Sequence, residues 1–235
     1  MRKDQAGFTL VEIAIVLVII GLLLGGVLKG QELINSAKVK NFANDFRNIP
    51  LFIYGYQDKF RTLPGDDPNV VAHIGAGGAG TDASVQIAGA TVGNGVINGD
   101  WWSTNAGDES FVFWQHVRRA NLAAGTTNTA DPTYPPTNSD GGRIGIESGT
   151  NVAANQYISG LTGTYVLCSA GILGKFAKQL DTNMDDGNPF TGSMRATRGQ
   201  PNARANAAEC AVAGQPAACA AAVDDAQAYT VCMAF

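Results

Sequence analysis

The sequence has few charged residues and few histidines. Only 15% of its 235 residues are Asp, Glu, Lys or Arg, and the formal net charge is -4. The chain therefore lacks the excess of positive charge that nucleic-acid-binding proteins present on one face. Its two histidines, His73 and His116, have no second histidine at ligand spacing and no obvious nucleophile beside them. Both are predicted to be structural.

Motifs of the common enzyme classes are also missing. The sequence contains no G-x-S-x-G, no H-E-x-x-H and no C-x2-C. Gly75, Gly77 and Gly80 match G-x-G-x-x-G after the strand-like residues 70–72, but no helical pattern or βαβ unit follows. We therefore predict a surface loop there, and a protein that is not an enzyme and has no organic cofactor.

Cysteine is absent until late in the chain. Cys168, Cys210, Cys219 and Cys232 all lie near the C-terminus, and an even number in one region predicts two disulfides in an oxidising compartment. Four cysteines allow three pairings. The sequence favours Cys210 with Cys219, which enclose a short loop, and Cys168 with Cys232, each of which ends a strand-like run.

What the sequence does have is a long apolar run near its start. Residues 13–28 carry no charge, and residues 8–28 would form a helix about 30 Å long, enough to cross a bilayer. The run is longer than the apolar part of a secretory signal, and no A-x-A site follows it. Glu12 lies inside it, where a carboxylate costs about 2.5 kcal/mol or more and suggests a function. Alternatively, Glu12 lies close enough to the interface to reach lipid headgroups.

The residues around Glu12 carry a resemblance to a known family. Residues 6–12, AGFTLVE, follow a short basic leader and precede the apolar run. This segment resembles the N-terminal signature of type IV pilins and of the pseudopilins of type II secretion. The resemblance implies that a prepilin peptidase cuts between Gly7 and Phe8 and N-methylates Phe8. It also implies that Glu12 of one subunit pairs with the Phe8 amine of a neighbour, because a buried charge is tolerated when it is paired.

The resemblance further implies a function and a set of partners. The chain is expected to be a structural subunit of a type IV pilus-like filament, first anchored in the inner membrane and then polymerised at the cell surface. Its partners would be copies of itself, the prepilin peptidase, an inner-membrane assembly platform and an outer-membrane secretin. The alternative is a periplasmic pseudopilin of type II secretion. A pilin-anchored adhesin, or a DNA-binding competence pilin that uses Arg195, Arg198 and Arg204, is less favoured, since three such arginines are usually a solvated face.

The pattern after the apolar run predicts how the body is built. Residues 29–60 are expected to form the amphipathic half of the same helix, bent by Pro50, with one apolar stripe at spacings of three and four. The stripe consists of Val39, Phe42, Phe46, Ile49, Ile53, Tyr56 and Phe60. With residues 1–7 as leader and 8–28 as membrane and filament-core helix, residues 61–235 remain as a head with two disulfides.

The head is expected to contain short helices and strands joined by long loops. Helical patterns cover residues 109–122 and 171–180, and strand patterns cover residues 143–146, 164–168 and 229–233. These elements predict an α+β, type IV pilin-like fold in which the long helix packs on a small antiparallel sheet.

One segment of the head has the composition of a metal site. Oxygen ligands at Asp181, Asn183 and Asp185, followed by Asp186, resemble the start of a calcium loop. The pattern requires Gly where Asp186 stands and lacks the later bidentate Glu, so an acidic turn that ends a helix is the alternative. Calcium is thus the one metal ion that the sequence suggests.

Overall fold

The computed structural model describes residues 10–75, 92–149, 157–158, 161–198 and 223–235. The chain divides into two compact units, Met1–Lys40 and Asn41–Phe235. Its elements are the helices and strands α1 (Leu10–Phe60), α2 (Val70–Ile74), α3 (Glu109–Arg119), β1 (Ile144–Ser148), β2 (Tyr165–Leu173), α4 (Gly174–Met184), β3 (Met194–Thr197) and β4 (Ala228–Ala234). The predicted α+β, pilin-like architecture is confirmed.

Helix α1 continues through Pro50 and ends at Phe60. Proline removes one backbone donor from the helix, but the apolar stripe stays buried on both sides of it. The buried residues of the stripe are Val39, Phe42, Phe46, Ile49, Ile53 and Tyr56. Arg61 then takes a left-handed conformation, with φ of 61°, and its N–H donates to the Gln57 carbonyl at 2.8 Å. The helix thus ends where the proline-containing turn begins.

The sheet is antiparallel, with strand order β1-β2-β4-β3. The three predicted strands are present, but β2 runs on to Leu173 and α4 begins only at Gly174, so the predicted start of this helix at Gly171 is wrong. Gly171 has a φ of 73°, and the β2–β4 register shifts between Ser169 and Ile172. A bulge therefore occupies the place where the sequence indicated a helix start.

Strand β3 and helix α2 were not predicted. Strand β3 has four residues and pairs with β4, which lies far along the chain. Residues 70–72 belong to α2, so the strand-like interpretation of this segment is wrong. Valine-rich runs of this length are ambiguous between helix and strand, and packing decides between them.

A disulfide joins the two central strands. Cys168 and Cys232 lie directly opposite each other in the β2–β4 ladder and form a disulfide across a sequence separation of 64. The bond ties the last strand of the chain to the middle of the sheet. Cys210 and Cys219 lie outside the described residues, so their pairing stays a prediction.

The core of the second unit lies around the C-terminal half of α1. Phe42 packs on Phe176 of α4 with ring centroids 6.2 Å apart, and Tyr56 stacks on His116 of α3 at 6.1 Å. Trp101 and Tyr157 form a second cluster with the disulfide. The amphipathic stripe of α1 thus serves as one wall of the core, as its periodicity predicted.

Candidate functional site

The N-terminal part of α1 presents apolar side chains on every side. We call residues 10–34 the stem and Asn41–Phe235 the head. The stem residues Leu10, Leu17, Leu22, Leu23 and Leu28 are between 63% and 86% exposed. By length and composition, α1 is able to cross a membrane. A helix that is apolar all round is stable only in lipid or among other helices.

Glu12 is the acidic residue in the first turn of α1. A carboxylate there interacts favourably with the positive end of the helix dipole. Like its apolar neighbours, Glu12 is exposed. Gly7 and Phe8, the predicted processing residues, lie outside the described residues, so the pairing of Glu12 with the Phe8 amine stays a prediction.

The stem glycines have no packing role within the described chain. A Cβ placed on Gly21, Gly25, Gly26 or Gly30 would meet nothing within 4 Å. Gly in a helix costs about 1 kcal/mol relative to Ala, so contacts in this monomer do not explain why these positions are Gly. Small residues at four-residue spacing would let a neighbouring helix approach closely.

The predicted metal residues come together only in part. Asp181 lies in the last turn of α4, which runs to Met184, so the predicted metal segment begins inside the helix, and its role as a calcium site stays a prediction. One ligand atom from each of Asp181, Asp185 and Asp186 lies within 4.8 Å of the others. Asn183 is exposed and lies about 200° around the helix from the buried Asp181, which places it on another face.

Hydrogen bonds hold the two outer carboxylates of this group. Asp185 accepts from the Met194 N–H at 2.7 Å and from the Ser193 hydroxyl at 3.1 Å. A Cβ on Gly192 would clash with the Asp185 carboxylate, so this position requires Gly. The chain between α4 and β3 therefore folds back onto the end of the helix.

Asp186 is fixed in the same way, and its environment differs from that of Asp181. Asp186 accepts from the Asn188 N–H at 2.8 Å and from the Thr191 hydroxyl at 2.6 Å, and these bonds lower its pKa. Burial, with the negative charges of Asp186 and Asp185, raises the pKa of Asp181 to about 6. The cluster thus combines two hydrogen-bonded carboxylates with a buried one whose charge is disfavoured.

A second cluster of polar side chains lies within the head, around the turn that follows α1. Asp67 accepts from the Tyr56 hydroxyl and contacts His73 Nδ1, each at 2.7 Å. The Gly65 N–H donates to His116 Nδ1 at 2.9 Å, and burial lowers the pKa of His116 to about 4. His116 is therefore neutral and accepts a hydrogen bond, which agrees with the structural role predicted for both histidines.

Glu109 is the buried acid at the start of α3. It accepts hydrogen bonds from the N–H and side-chain amide of Asn98 at 2.8 and 3.0 Å. Burial, with smaller contributions from Asp66 and Asp108, raises its pKa to about 7. Asp66 accepts from the N–H groups of Gly93, Asn94 and Gly95 nearby. No sequence periodicity marked these contacts, because the partners lie far apart along the chain.

Two minor predictions can be compared with the structure. Gly75 follows helix α2, so the glycine motif lacks the preceding strand of a dinucleotide site. Arg198 donates to the Tyr229 hydroxyl at 3.3 Å and lies over its ring, and Arg195 donates to the Gly192 carbonyl at 3.3 Å. Both arginines thus have contacts within the head, and Arg204 lies outside the described residues.

One segment of the chain matches a family model. The family model for the prokaryotic N-terminal methylation motif matches residues 2–28. No curated protein and no solved structure matches the chain. The matched segment contains the expected cleavage position, Glu12 and the apolar stem, and it leads into a long helix of an α+β fold. The chain therefore carries the type IV pilin and pseudopilin signature on a pilin-like architecture.

Proposed function

We propose that this protein is a structural subunit of a type IV pilus-like filament. A prepilin peptidase would cut it between Gly7 and Phe8 and methylate Phe8. The mature subunit would wait in the inner membrane and then polymerise through its N-terminal helix. In this role the chain performs no catalysis, and its processing and assembly positions are Gly7, Phe8 and Glu12.

The observation that carries the proposal is the exposure of the stem together with the motif. The apolar window of α1 that is long enough to span a membrane has none of its residues buried within the described chain. Burying apolar surface contributes about 25 cal/mol per Å², so an unburied stem strongly favours transfer to lipid or to other stems. In a filament, the stems of neighbouring subunits would bury this apolar surface.

The head favours a pilus over a pseudopilus. A disulfide across the central strands, tying the C-terminus into the sheet, suits a fibre that is exposed outside the cell. Minor pseudopilins also carry disulfides, so a periplasmic pseudopilin of type II secretion is the second candidate. The two share every feature of residues 2–28.

Processing and assembly are tested in a host that has the pilus machinery. We expect mass spectrometry of sheared surface filaments to find a mature chain that begins at Phe8 and carries one added methyl group. In a strain without prepilin peptidase, the chain should keep residues 1–7 and stay in the membrane. A chain that keeps its leader in the presence of the peptidase would contradict the proposal.

Filament preparations from the same host distinguish a type IV pilus from a type II secretion system. Electron microscopy should show filaments that contain this chain on the wild-type surface. If the surface has no such filaments and deletion of the gene instead blocks release of secreted enzymes, the pseudopilin alternative is correct.

A further inference from the structure

Arg143 is a half-buried cation that no anion in the described part of the chain balances. Its guanidinium donates to one neutral acceptor, the Ser103 carbonyl, and forms no ion pair with any described carboxylate. The Nε atom is buried and has no acceptor among the described residues. Burial lowers the pKa of this guanidinium, and no neighbouring charge offsets the effect. Buried charged groups are normally paired, so this one requires an explanation.

A second arginine of the head shows how the chain can satisfy a buried guanidinium. Arg118 is 7% exposed and, like Arg143, has no carboxylate partner among the described residues. Its guanidinium nevertheless donates to three backbone carbonyls, and two aromatic rings face it. Carbonyl oxygens and the faces of aromatic rings both stabilise a cation. Within the described chain, Arg143 has one such carbonyl and no facing ring, so an external anion would supply what is missing.

Arg143 lies where one edge of the sheet meets the segment 101–103. It directly precedes β1, which is the first strand in the order β1-β2-β4-β3. A Cβ on Gly145 of β1 would collide with the Trp101 carbonyl, so the two backbones are in direct contact. The Ser103 carbonyl, at the other end of the segment, then holds the guanidinium at this edge.

The aromatic residues of the same segment add a second unpaired donor and a partly open ring. Trp101 is 1% exposed, and its indole N–H has no acceptor among the described residues. Trp102 is half-buried, and its ring centroid lies 5.7 Å from that of Trp101 and 5.3 Å from that of Tyr157. Ligand sites typically combine aromatic surface with a few polar groups that fix the ligand's orientation. The segment 101–103 and Arg143 together have this composition.

We propose that Arg143 binds the carboxylate of a small ligand whose ring packs against Trp102. The Nη1 atom has no acceptor among the described residues and, unlike Nε, is not buried, so an anion can reach the guanidinium. A carboxylate carries one charge and accepts parallel N–H bonds from a guanidinium. A phosphate group carries up to two charges and three acceptor oxygens, more than one guanidinium satisfies. The site belongs to the head alone and does not depend on filament assembly.

The test is a saturation-transfer NMR titration of the full-length chain in detergent, at constant ionic strength. The probes are glucuronate, which is a carboxylate on a sugar ring, acetate, glucose and inorganic phosphate. We expect glucuronate to bind with a Kd of millimolar order, about tenfold more tightly than acetate, because the ring adds apolar contact. Glucose should not bind, since it lacks the charge. Absence of glucuronate binding, equal binding of glucose, or tighter binding of phosphate would overturn the proposal.

Variants assign the binding to Arg143. Arg143→Gln keeps an amide that can donate to Ser103 but removes the charge, so it should abolish glucuronate binding. Arg143→Lys keeps the charge and loses the planar fork, so it should weaken binding about tenfold. Arg61→Gln is the matched control and should bind like the wild type, because the Arg61 side chain is 83% exposed. A melting curve shows whether each variant folds, and the Lys variant decides if the Gln variant does not. Unchanged affinity in a folded Arg143 variant would show that the anion binds elsewhere.

Substitution of Trp102 tests where the ring of the ligand lies. Trp102→Ala should weaken glucuronate about tenfold, to the affinity of acetate, because it removes the aromatic surface. The affinity for acetate itself should not change, because acetate contacts only the guanidinium. An equal loss for both ligands, or no loss for either, would contradict a ring contact at Trp102.

Discussion

Helix α1 shows the same residue types in two opposite environments. In the stem, Leu23 is 63% exposed, whereas Ile53, further along the same helix, is fully buried. Both are branched aliphatic residues in an unbroken helix. The difference lies in what surrounds them: the head supplies its own core, and the stem has none within the described chain. The head thus buries its apolar side chains within the chain, while those of the stem stay exposed within the described residues.

The strongest test of the difference between stem and head is a substitution of Glu12, the acidic residue in the first turn of α1. We predict that Glu12→Gln abolishes filament formation and leaves the subunit processed and inserted in the membrane. If Glu12 pairs with the Phe8 amine as proposed, an uncharged side chain would leave that amine uncompensated, and an unpaired buried charge costs several kcal/mol. Yield of sheared filaments, normalised to membrane-bound subunit, measures the effect.

A glutamate on the same helix serves as the control. Glu32 is exposed and forms an ion pair with Lys29 at 2.6 Å, so Glu32→Gln removes the same charge from the helix. It should assemble almost normally, since an exposed ion pair is worth at most about 1 kcal/mol. Equal loss of filaments in both variants would show that helix charge in general, and not the position of Glu12, controls assembly.

The next largest effect concerns the head alone. Replacing Cys168 and Cys232 together by Ser should lower the free energy of unfolding by about 4 kcal/mol, the chain-entropy value for a loop of this length. Denaturant titration of the full chain in detergent, followed by tryptophan fluorescence, measures it. Insertion of the stem in the membrane should be unchanged. A loss below about 1 kcal/mol would mean that the sheet does not depend on this bond.

Two alanine substitutions, one in each half of α1, compare the two environments directly. Ile53→Ala should destabilise the head by about 3 kcal/mol, because it leaves a cavity in the core. Leu23→Ala should leave the unfolding of the head unchanged, because Leu23 is exposed in the stem. The same fluorescence titration measures both variants. Equal destabilisation would contradict the separation into two units.

Patterns between neighbouring residues in the sequence predicted the long helix, its buried face and one disulfide. Most of the stem follows from the uncharged apolar run at residues 13–28, and the wall of the core follows from the spacing of Phe42, Phe46, Ile49 and Ile53. The positions of Cys168 and Cys232 at the ends of strand-like runs favoured the pair that the structure joins. In each case the information lies within a few residues.

Contacts between distant residues left no such pattern. Strand β3 has only four residues and is defined by pairing with β4. Gly65 reaches His116 across 51 positions, and Asp66 reaches Gly93 across 27. The acidic cluster was visible as composition, but its membership was not, because the end of α4 decides which carboxylates share a face. Side-chain partners of this kind are set by tertiary packing.

The smallest predicted effect is a pH dependence confined to the head. Glu109 has a pKa of about 7 in the folded chain against an ordinary value of 4.5. Between these values the folded state binds more protons than the unfolded state, so stability from this group is present at low pH and is lost as pH rises towards 7. We predict that Glu109→Gln removes this loss, for which the difference between the two pKa values sets an upper limit of about 3 kcal/mol.

The comparison with the wild type reports mainly on Glu109, because all titrating groups except its charged neighbours Asp66 and Asp108 behave alike in both proteins and cancel. At pH 4 the two should unfold at the same denaturant concentration, since the amide of Gln resembles a protonated carboxyl and can still accept from Asn98. From about pH 4.5 to pH 7, the denaturant concentration that unfolds the wild type should fall progressively below the concentration that unfolds the variant. Parallel curves over this range would show that Glu109 ionises as easily in the folded head as in the unfolded chain, and that the Asn98 hydrogen bonds fully offset its burial.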